Sequence, residues 1–219
     1  MRVFLTAVCY TYYSAKKQED TFGYVKGERG MQVGYCKPKR IVKDEAALVV
    51  VDFQERMVPA MYDGAGAVTE AVKLIKGFIA IGCPVLVTQQ YTKGLGESVA
   101  EIKEAFEPFE YIEKSSFSVM GDEHFRNVIN GTGRKTVVLC GVEAHVCVMQ
   151  SALDMMEAGY DVFLATDAIS SRRERDEQPA IMRMIHSGVT LTTVESVLFE
   201  LLDNDSKSDT FKTISRLIK

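Results

Sequence analysis

From about residue 41 onward, short runs of apolar and mostly β-branched residues recur along the chain, separated by stretches with a helical period. The runs are Leu48–Val51, Val85–Val87, Thr136–Leu139, Val162–Ala165 and Val189–Thr192. Runs that are apolar at successive positions are typical of strands covered on both faces, as in a parallel sheet. Their alternation with helices predicts βαβ units, and therefore a three-layer α/β/α domain from about Ile41 to about Leu202.

Helical periods fill the gaps between these runs. Three apolar stripes each end shortly before a glycine: Val68–Ile79 before Gly82, Val148–Met155 before Gly159, and Pro179–His186 before Gly188. A glycine after the last periodic residue is a common helix stop. Because proline fits the first turn of a helix, the third helix is predicted to begin near Pro179. The tail Ser208–Lys219 predicts a short amphipathic helix.

Residues 1–40 differ from the rest, because they are rich in Tyr, Lys and Gly and have no sustained period. A mobile extension, an edge hairpin and an arm that packs on a neighbouring subunit all fit this pattern. We therefore divide the chain into an N-terminal extension, 1–40, and an α/β domain with a short C-terminal helix, 41–219. The segment Met1–Cys9 resembles a signal peptide only faintly, since its apolar stretch is short and no small-residue cleavage site follows.

Composition narrows the classes of function. The net charge is -4, whereas nucleic-acid binding favours a basic face, so no nucleic-acid partner is expected. The sequence has no apolar run long enough to cross a membrane. The five cysteines have no framework spacing and the three histidines are scattered, which predicts a reducing, cytoplasmic location and neither a disulfide scaffold nor a zinc site.

Three residues with reactive side chains follow predicted strands. In open α/β sheets, reactive groups lie beyond the carboxyl ends of the strands. Asp52 ends the first run, Lys114 ends a weaker extended segment, and Cys147 lies in the turn that joins Thr136–Leu139 to the next helix. Backbone N–H groups and the positive end of a helix dipole favour a thiolate, so the pKa of Cys147 is predicted to be lowered.

By residue type, these three form a complete nucleophilic set. A carboxylate can accept the proton of the Cys147 thiol, while the Lys114 ammonium stabilises the thiolate and holds the carboxylate of Asp52. Backbone N–H groups of the turn could bind the oxyanion that attack on a carbonyl creates. Each residue also has a plainer interpretation, as a turn aspartate, a solvated lysine and a small buried hydrophobe.

Three segments of the chain resemble the three catalytic blocks of the isochorismatase-like cysteine hydrolases. They are Val49–Gln54, Glu113–Ser118 and Cys140–Val148, in the order that the family has. The resemblance extends over roughly Ile41 to Leu202, and the sequence of Gln89–Gly96 is most similar to that of the isochorismatase domain-containing proteins. It implies a six-stranded parallel sheet and a homo-oligomer.

The resemblance also implies residue roles. Asp52 would be the general base, Lys114 its electrostatic partner and Cys147 the nucleophile. A non-proline cis peptide bond between Val142 and Glu143 would aim the N–H of Glu143, together with that of Cys147, at the oxyanion.

Departures from the family matter as well. Nicotinamidases of this superfamily bind a metal through an aspartate and histidines after the second strand, where this chain has Thr88–Tyr91. We therefore expect no metal and no other cofactor. Weaker candidates for a substrate pocket are the residues near these blocks, Phe53, Gln90, Tyr91, Phe117 and His145.

The leading hypothesis is a metal-independent cysteine hydrolase that acts on a small amide or related carbonyl substrate through a thioester. A family fold alone does not ensure chemistry, so a non-catalytic scaffold is one alternative. A redox-sensing thiol protein is another, since a low-pKa cysteine oxidises readily, although no resolving cysteine is evident.

Overall fold

The structure is a computed structural model that describes residues 22–26, 32–36, 39–203 and 207–219. The chain divides by its contacts into two units, Met1–Lys39 and Arg40–Lys219. In the first unit, β1 (Phe22–Lys26) and β2 (Gln32–Cys36) pair as an antiparallel ribbon. The signal-like segment Met1–Cys9 lies outside the described residues.

The second unit is built on a six-stranded sheet whose strands are all parallel, which confirms the predicted fold class. Its strands are β3 (Ala46–Val51), β4 (Val85–Gln90), β5 (Ile112–Lys114), β6 (Thr136–Val142), β7 (Asp161–Ser170) and β8 (Thr190–Thr192). Every residue of β3 and β6 is buried, as expected for central strands with both faces covered.

Helices cover both faces of this sheet. They are α1 (Gly64–Ile81), α2 (Thr92–Leu95), α3 (Ala100–Lys103), α4 (Glu123–Gly131), α5 (Met149–Glu157), α6 (Glu174–His186), α7 (Val194–Leu202) and α8 (Asp209–Ile218). Along β3, Leu48 and Val50 pack in a cluster with α1, α7 and α8. The alternate residues Val49 and Val51 pack in a second cluster with α4, α5 and α6, so the two faces of the strand build two cores.

The predicted start of α6 at Pro179 is wrong. The helix begins at Glu174, and Pro179 lies inside it. Glu174, Asp176 and Glu177 occupy the first turn, where carboxylates interact favourably with the helix dipole. The acidic first turn therefore marks the start of this helix better than the proline does.

The sheet order brings separate parts of the chain to one crevice. The order is β5-β4-β3-β6-β7-β8, so the chain leaves β3 for one side of the sheet and later crosses to β6 on the other. Ligand sites in such sheets lie at this switch point, beyond the carboxyl ends of the strands. At this point β6 lies very close to β3. Gly141 has φ 135°, and a Cβ atom on it would lie 2.2 Å from the carbonyl oxygen of Val51, so only glycine fits there.

Candidate active site

Asp52 directly follows β3 and opens the site. Its backbone is in the left-handed region, with φ 54°, a conformation that aspartate adopts more readily than most residues. The residue is fully buried, and the hydroxyl of Thr88 donates a hydrogen bond of 2.8 Å to its Oδ1 atom. The end of the neighbouring strand β4 thus holds the carboxylate of Asp52 in place.

Lys114 is the last residue of β5, and its side chain is also fully buried. Its Nζ atom lies 2.6 Å from Oδ2 of Asp52 and 2.6 Å from Oε1 of Gln90. The carbonyl oxygens of Ser116 and Phe117 lie 3.2 Å away on its other side. All four partners are acceptors, whereas an ammonium has three N–H groups, so at least two of the partners share one hydrogen.

Cys147 lies in a π-helical turn, Ala144–Val148, between β6 and α5. Turns of this kind are frequent at functional sites. The residue is 3% exposed, and the carboxylate of Asp52 lies near enough to affect the pKa of its thiol. The peptide bond between Val142 and Glu143 is cis, and the carbonyl oxygen of Glu143 accepts bonds from the N–H groups of Val146 and Val148. The structure thus brings Asp52, Lys114 and Cys147 together.

The expectation of a lowered thiol pKa is wrong. Burial, and after it the carboxylate of Asp52, raise the pKa of Cys147 to about 12, and Lys114 opposes the change only in part. Burial likewise raises the pKa of Asp52, against the opposing effects of Lys114, Thr88 and Cys147. At neutral pH the resting site therefore holds a protonated thiol beside a carboxylate of increased basicity.

A second, more exposed group of polar side chains lies around the turn of Cys147 and the residues that follow β7. Nε of Arg172 lies 2.6 Å from Oε2 of Glu143, with side chains that are 59% and 14% exposed. Nδ1 of His145 lies 3.0 Å from the hydroxyl of Ser171, which directly follows β7. Its Nε2 lies 3.9 Å from Oε2 of Glu143, so this group connects the turn of the cysteine to the end of β7.

The residues predicted to line a pocket fall into different environments. Phe53 is 1% exposed and belongs to the core cluster that includes residues of α1. The Gln90 side chain is engaged by Lys114 and by the carbonyl oxygen of Ser115, inside the protein. Tyr91 and Phe117 are more than half exposed, so they lie at the surface beyond the ends of β4 and β5.

Sequence reasoning missed two buried polar residues that support the site, Thr88 and Gln54. The Gln54 side chain accepts from the N–H of Gln90 at 2.7 Å and donates to the carbonyl oxygens of Gln90 and Gly96, at 3.0 and 2.7 Å. A usable signal was present, because polar residues at the end of an otherwise apolar strand must find hydrogen-bond partners when buried.

In the described part of the chain, no group of three or more His, Cys, Asp or Glu side chains is arranged to hold a metal ion. None of the helices described there combines the length and apolar character needed to span a bilayer.

A family model places the chain among known proteins. The Isochorismatase domain model matches residues 46–196, and the chain belongs to this family. It is 34% identical over 180 residues to isochorismatase domain-containing protein 2 of Danio rerio, covering 82% of this chain and 89% of the relative. This agrees with the subgroup that the sequence resembled.

Solved structures of similar proteins share the fold. A structure described as the MAR1 ribonuclease of Caenorhabditis elegans has a TM-score of 0.77 and 34% identity, covering 82% of this chain and 92% of that one. YcaC of Escherichia coli, described as an octameric hydrolase of unknown specificity, has a TM-score of 0.77 and 28% identity, with coverages of 83% and 92%. YcaC of Pseudomonas aeruginosa, solved with covalent acrylamide, has a TM-score of 0.76 and 28% identity, with coverages of 82% and 92%.

Proposed function

We propose that the protein is a metal-independent cysteine hydrolase that acts on a small amide or a related carbonyl compound. The observation that carries the proposal is one buried cluster in which the carboxylate of Asp52 pairs with the ammonium of Lys114, at 2.6 Å, and lies near enough to the thiol of Cys147 to raise its pKa. The covalent acrylamide in YcaC supports it, because acrylamide bonds to nucleophilic groups. Family membership adds the hydrolase fold.

In the first half of the reaction, Cys147 Sγ attacks the carbonyl carbon of the substrate while its proton passes to Asp52. The negative charge that forms on the carbonyl oxygen is held by the N–H groups of Glu143 and Cys147. When this intermediate collapses, the carbon–nitrogen bond breaks and the leaving nitrogen takes the proton from Asp52. An amine or ammonia departs, and the acyl group remains on the sulfur as a thioester.

In the second half, water replaces the leaving group. Asp52, ionised again, takes a proton from a water molecule whose oxygen attacks the thioester carbon. Collapse breaks the carbon–sulfur bond, and the sulfur regains the proton from Asp52. The carboxylic acid leaves, and the enzyme returns to its thiol form.

The raised pKa values fit general-base catalysis better than a preformed thiolate. A thiol with a pKa of about 12 is almost entirely protonated at neutral pH, so it needs a base at the moment of attack. Burial makes the carboxylate of Asp52 a stronger base than it is in water, and Lys114 keeps it ionised. A base whose pKa lies closer to the working pH transfers protons more efficiently.

The exposed side chains that flank the site suggest where a substrate enters. Tyr91 and Phe117 are exposed beyond the ends of β4 and β5, while His145 is partly exposed on the turn that carries Cys147. We propose that these three side chains contact the substrate beyond its reacting carbonyl group. Phe53 and Gln90 support the site from within.

A panel of amides and esters, assayed with wild type and Cys147→Ala, tests the proposal. We expect Cys147→Ala to lose turnover of every accepted substrate while its circular dichroism and melting temperature stay close to wild type. Cys83→Ala is the matched control, because it removes another free buried cysteine, whose sulfur contacts the carbonyl oxygen of Lys43 instead. Turnover that survives in Cys147→Ala would overturn the assignment.

A non-catalytic scaffold is the second candidate, favoured by the enclosure of the site. Cys147 is 3% exposed, and the side chains of Asp52 and Lys114 present no surface to solvent. Alkylation by iodoacetamide at pH 7 separates the two candidates. If the protein is a hydrolase, Asp52→Asn slows the alkylation of Cys147. If the thiol is inert, it reacts no faster than a free model thiol, and Asp52→Asn leaves its rate unchanged.

Two properties of the protein in the cell complete the proposal. The octameric relative supports a homo-oligomer, which light scattering after size-exclusion chromatography would detect as a mass above 24.4 kDa. Cys83, Cys140 and Cys147 are all free thiols, which supports a reducing, cytoplasmic location.

A further inference from the structure

Gln90 occupies a position in the site that the proposed mechanism has not yet used. Its Oε1 atom accepts from the Lys114 ammonium at 2.6 Å, the same distance that separates this ammonium from Asp52. Its Nε2 atom donates to the carbonyl oxygen of Ser115 at 2.9 Å. Both ends of the amide are therefore committed within the protein, and the side chain is 9% exposed.

These contacts fix which way the amide points. If the amide were rotated by half a turn, its NH₂ group would face the ammonium of Lys114, and its oxygen would face the carbonyl oxygen of Ser115. Both contacts would then be repulsive, since an ammonium can only donate and a carbonyl oxygen can only accept. The oxygen of the amide therefore stays on the ammonium.

The backbone of Gln90 is also fixed by hydrogen bonds. Gln54, fully buried, accepts from its N–H at 2.7 Å and donates to its carbonyl oxygen at 3.0 Å. Because Gln54 lies two residues beyond Asp52, the loop that carries the proposed base also anchors the residue that contacts the ammonium. A continuous set of hydrogen bonds thus runs from Gln54 through Gln90 and Lys114 to Asp52.

We propose that Gln90 is a positioning residue, which completes the hydrogen bonds of the Lys114 ammonium and so keeps Asp52 ionised for its work as a base. This inference rests on the proposed function. It adds to that function a neutral side chain that determines whether the proposed base, Asp52, is ionised.

The physical reason lies in the cost of a buried ion pair. A buried carboxylate is stable only while its counter-charge is held close to it. Gln90 accepts from the ammonium that lies 2.6 Å from Asp52 and so fixes its position. Without that acceptor the ammonium is held less firmly and lowers the pKa of Asp52 less, so the carboxyl group stays protonated, and cannot accept the proton of Cys147, up to a higher pH.

The charged and titratable groups around the pair come from several elements. Asp52 follows β3, Lys114 ends β5, and Cys147 and Glu143 come from the turn after β6. Glu143 acts on the thiol from a greater distance, and its own partner is Arg172. Gln90 is the side chain of β4 that contacts the ammonium directly.

The test compares two neighbouring glutamines. Gln89 is fully buried and also makes two side-chain hydrogen bonds, with Ser98 and Thr92, but these do not involve the ammonium. Gln90→Met and Gln89→Met therefore remove the same amide and keep a similar side-chain length. The rate of alkylation of Cys147 by iodoacetamide is measured from pH 5 to pH 9 by peptide mass mapping, beside thermal melting.

We expect the acid limb of the rate profile of Gln90→Met to move upward by roughly one pH unit, because the base is ionised only at higher pH. At pH values below the limb this is a loss of about tenfold in rate, which recovers as the pH rises. Gln89→Met should lose comparable thermal stability and keep the wild-type profile. If Gln90→Met does not fold, Gln90→Asn takes its place, because it keeps an amide that is too short to reach both partners.

The possible results are distinct. A profile of Gln90→Met, or of Gln90→Asn, that overlays wild type overturns the role of Gln90, and so does an equal shift in Gln89→Met. If Asp52→Asn leaves the alkylation profile of Cys147 unchanged, the proposed function itself fails, and the role of Gln90 fails with it.

Discussion

The candidate site holds one ion pair on its enclosed side and another on its open side, and the nitrogen–oxygen distance is 2.6 Å in both. On the enclosed side, the side chains of Lys114 and Asp52 are 0% exposed. On the open side, the side chains of Arg172 and Glu143 are 59% and 14% exposed. Equal distances therefore conceal unequal energetics, because water screens an exposed pair, whereas a buried charge that loses its partner stays uncompensated.

The difference suggests a division of labour in the proposed enzyme. The enclosed side keeps the proposed base and its ammonium in one geometry, through partners that come from β4 and from the loop after β5. The open side holds Glu143, whose N–H we assign to the oxyanion, through an arginine that can move at little cost. The enclosed side fixes the protonation state of Asp52, and the open side lets the backbone at Glu143 adjust when a substrate enters.

Removing the cation on the enclosed side should have the largest effect. We expect Lys114→Met to lower the free energy of unfolding by about 3–5 kcal/mol at pH 8, because the carboxylate of Asp52 is left buried without a partner. Without the ammonium, burial holds the pKa of Asp52 higher still. The loss is therefore present above that pKa and is relieved as the pH falls through it.

Urea unfolding of Lys114→Met at pH 8 and pH 5 checks both the size and the sign. Lys73→Met serves as the control, because Lys73 pairs with Glu70 at 2.7 Å while both side chains are 28% exposed, and its loss should cost less than about 1 kcal/mol. Similar losses in the two variants, or a loss that grows as the pH falls, would remove the basis of the comparison.

A smaller effect is expected when one neutral donor is removed from the same carboxylate. Thr88→Val keeps the shape of the side chain and deletes the 2.8 Å hydrogen bond to Asp52. We expect a loss of about 1.5 kcal/mol in urea unfolding, and an acid limb of Cys147 alkylation that moves to higher pH. Thr136→Val, at the opposite end of the sheet, should leave the limb unchanged; a limb that moves in both variants would contradict the assignment.

The smallest change in stability is expected on the open side. Arg172→Ala removes the partner of Glu143, and we expect the free energy of unfolding to change by less than about 1 kcal/mol, with less effect still in high salt. Turnover should nevertheless fall several-fold through kcat, because Glu143 is less well held. Arg173→Ala, at an exposed neighbouring position, should change neither quantity. A loss of stability as large as that of Lys114→Met would show that the two sides do not differ.

The sequence contained much of the fold. Runs of apolar, β-branched residues predicted five of the parallel strands, and a weaker segment that ends at Lys114 indicated the sixth. The helices α2, α3, α4 and α7 were not predicted. The start of α6 was placed too late, because a proline was taken as the signal of a first turn although the acidic residues before it form that turn.

The candidate site was predictable by residue type but not by environment. Strand ends and the resemblance together pointed to Asp52, Lys114 and Cys147, which the structure brings into contact. The predicted direction of the shift in the thiol pKa was wrong. The sequence pattern shows that Cys147 lies near a helix N-terminus, but it does not show that the turn around this thiol is buried. The task of Gln90 was hidden for the same reason, since it depends on which atom of its amide faces the ammonium.

The order of strands in the sheet also determines when this chemistry exists. The base, the ammonium and the sulfur come from β3, β5 and the turn after β6, so no short fragment of the chain contains them together. While the chain emerges from the ribosome, Cys147 is an ordinary cysteine without its proposed base. Its reactivity should arise only when the last of these elements has joined the others, so that folding itself switches the nucleophile on.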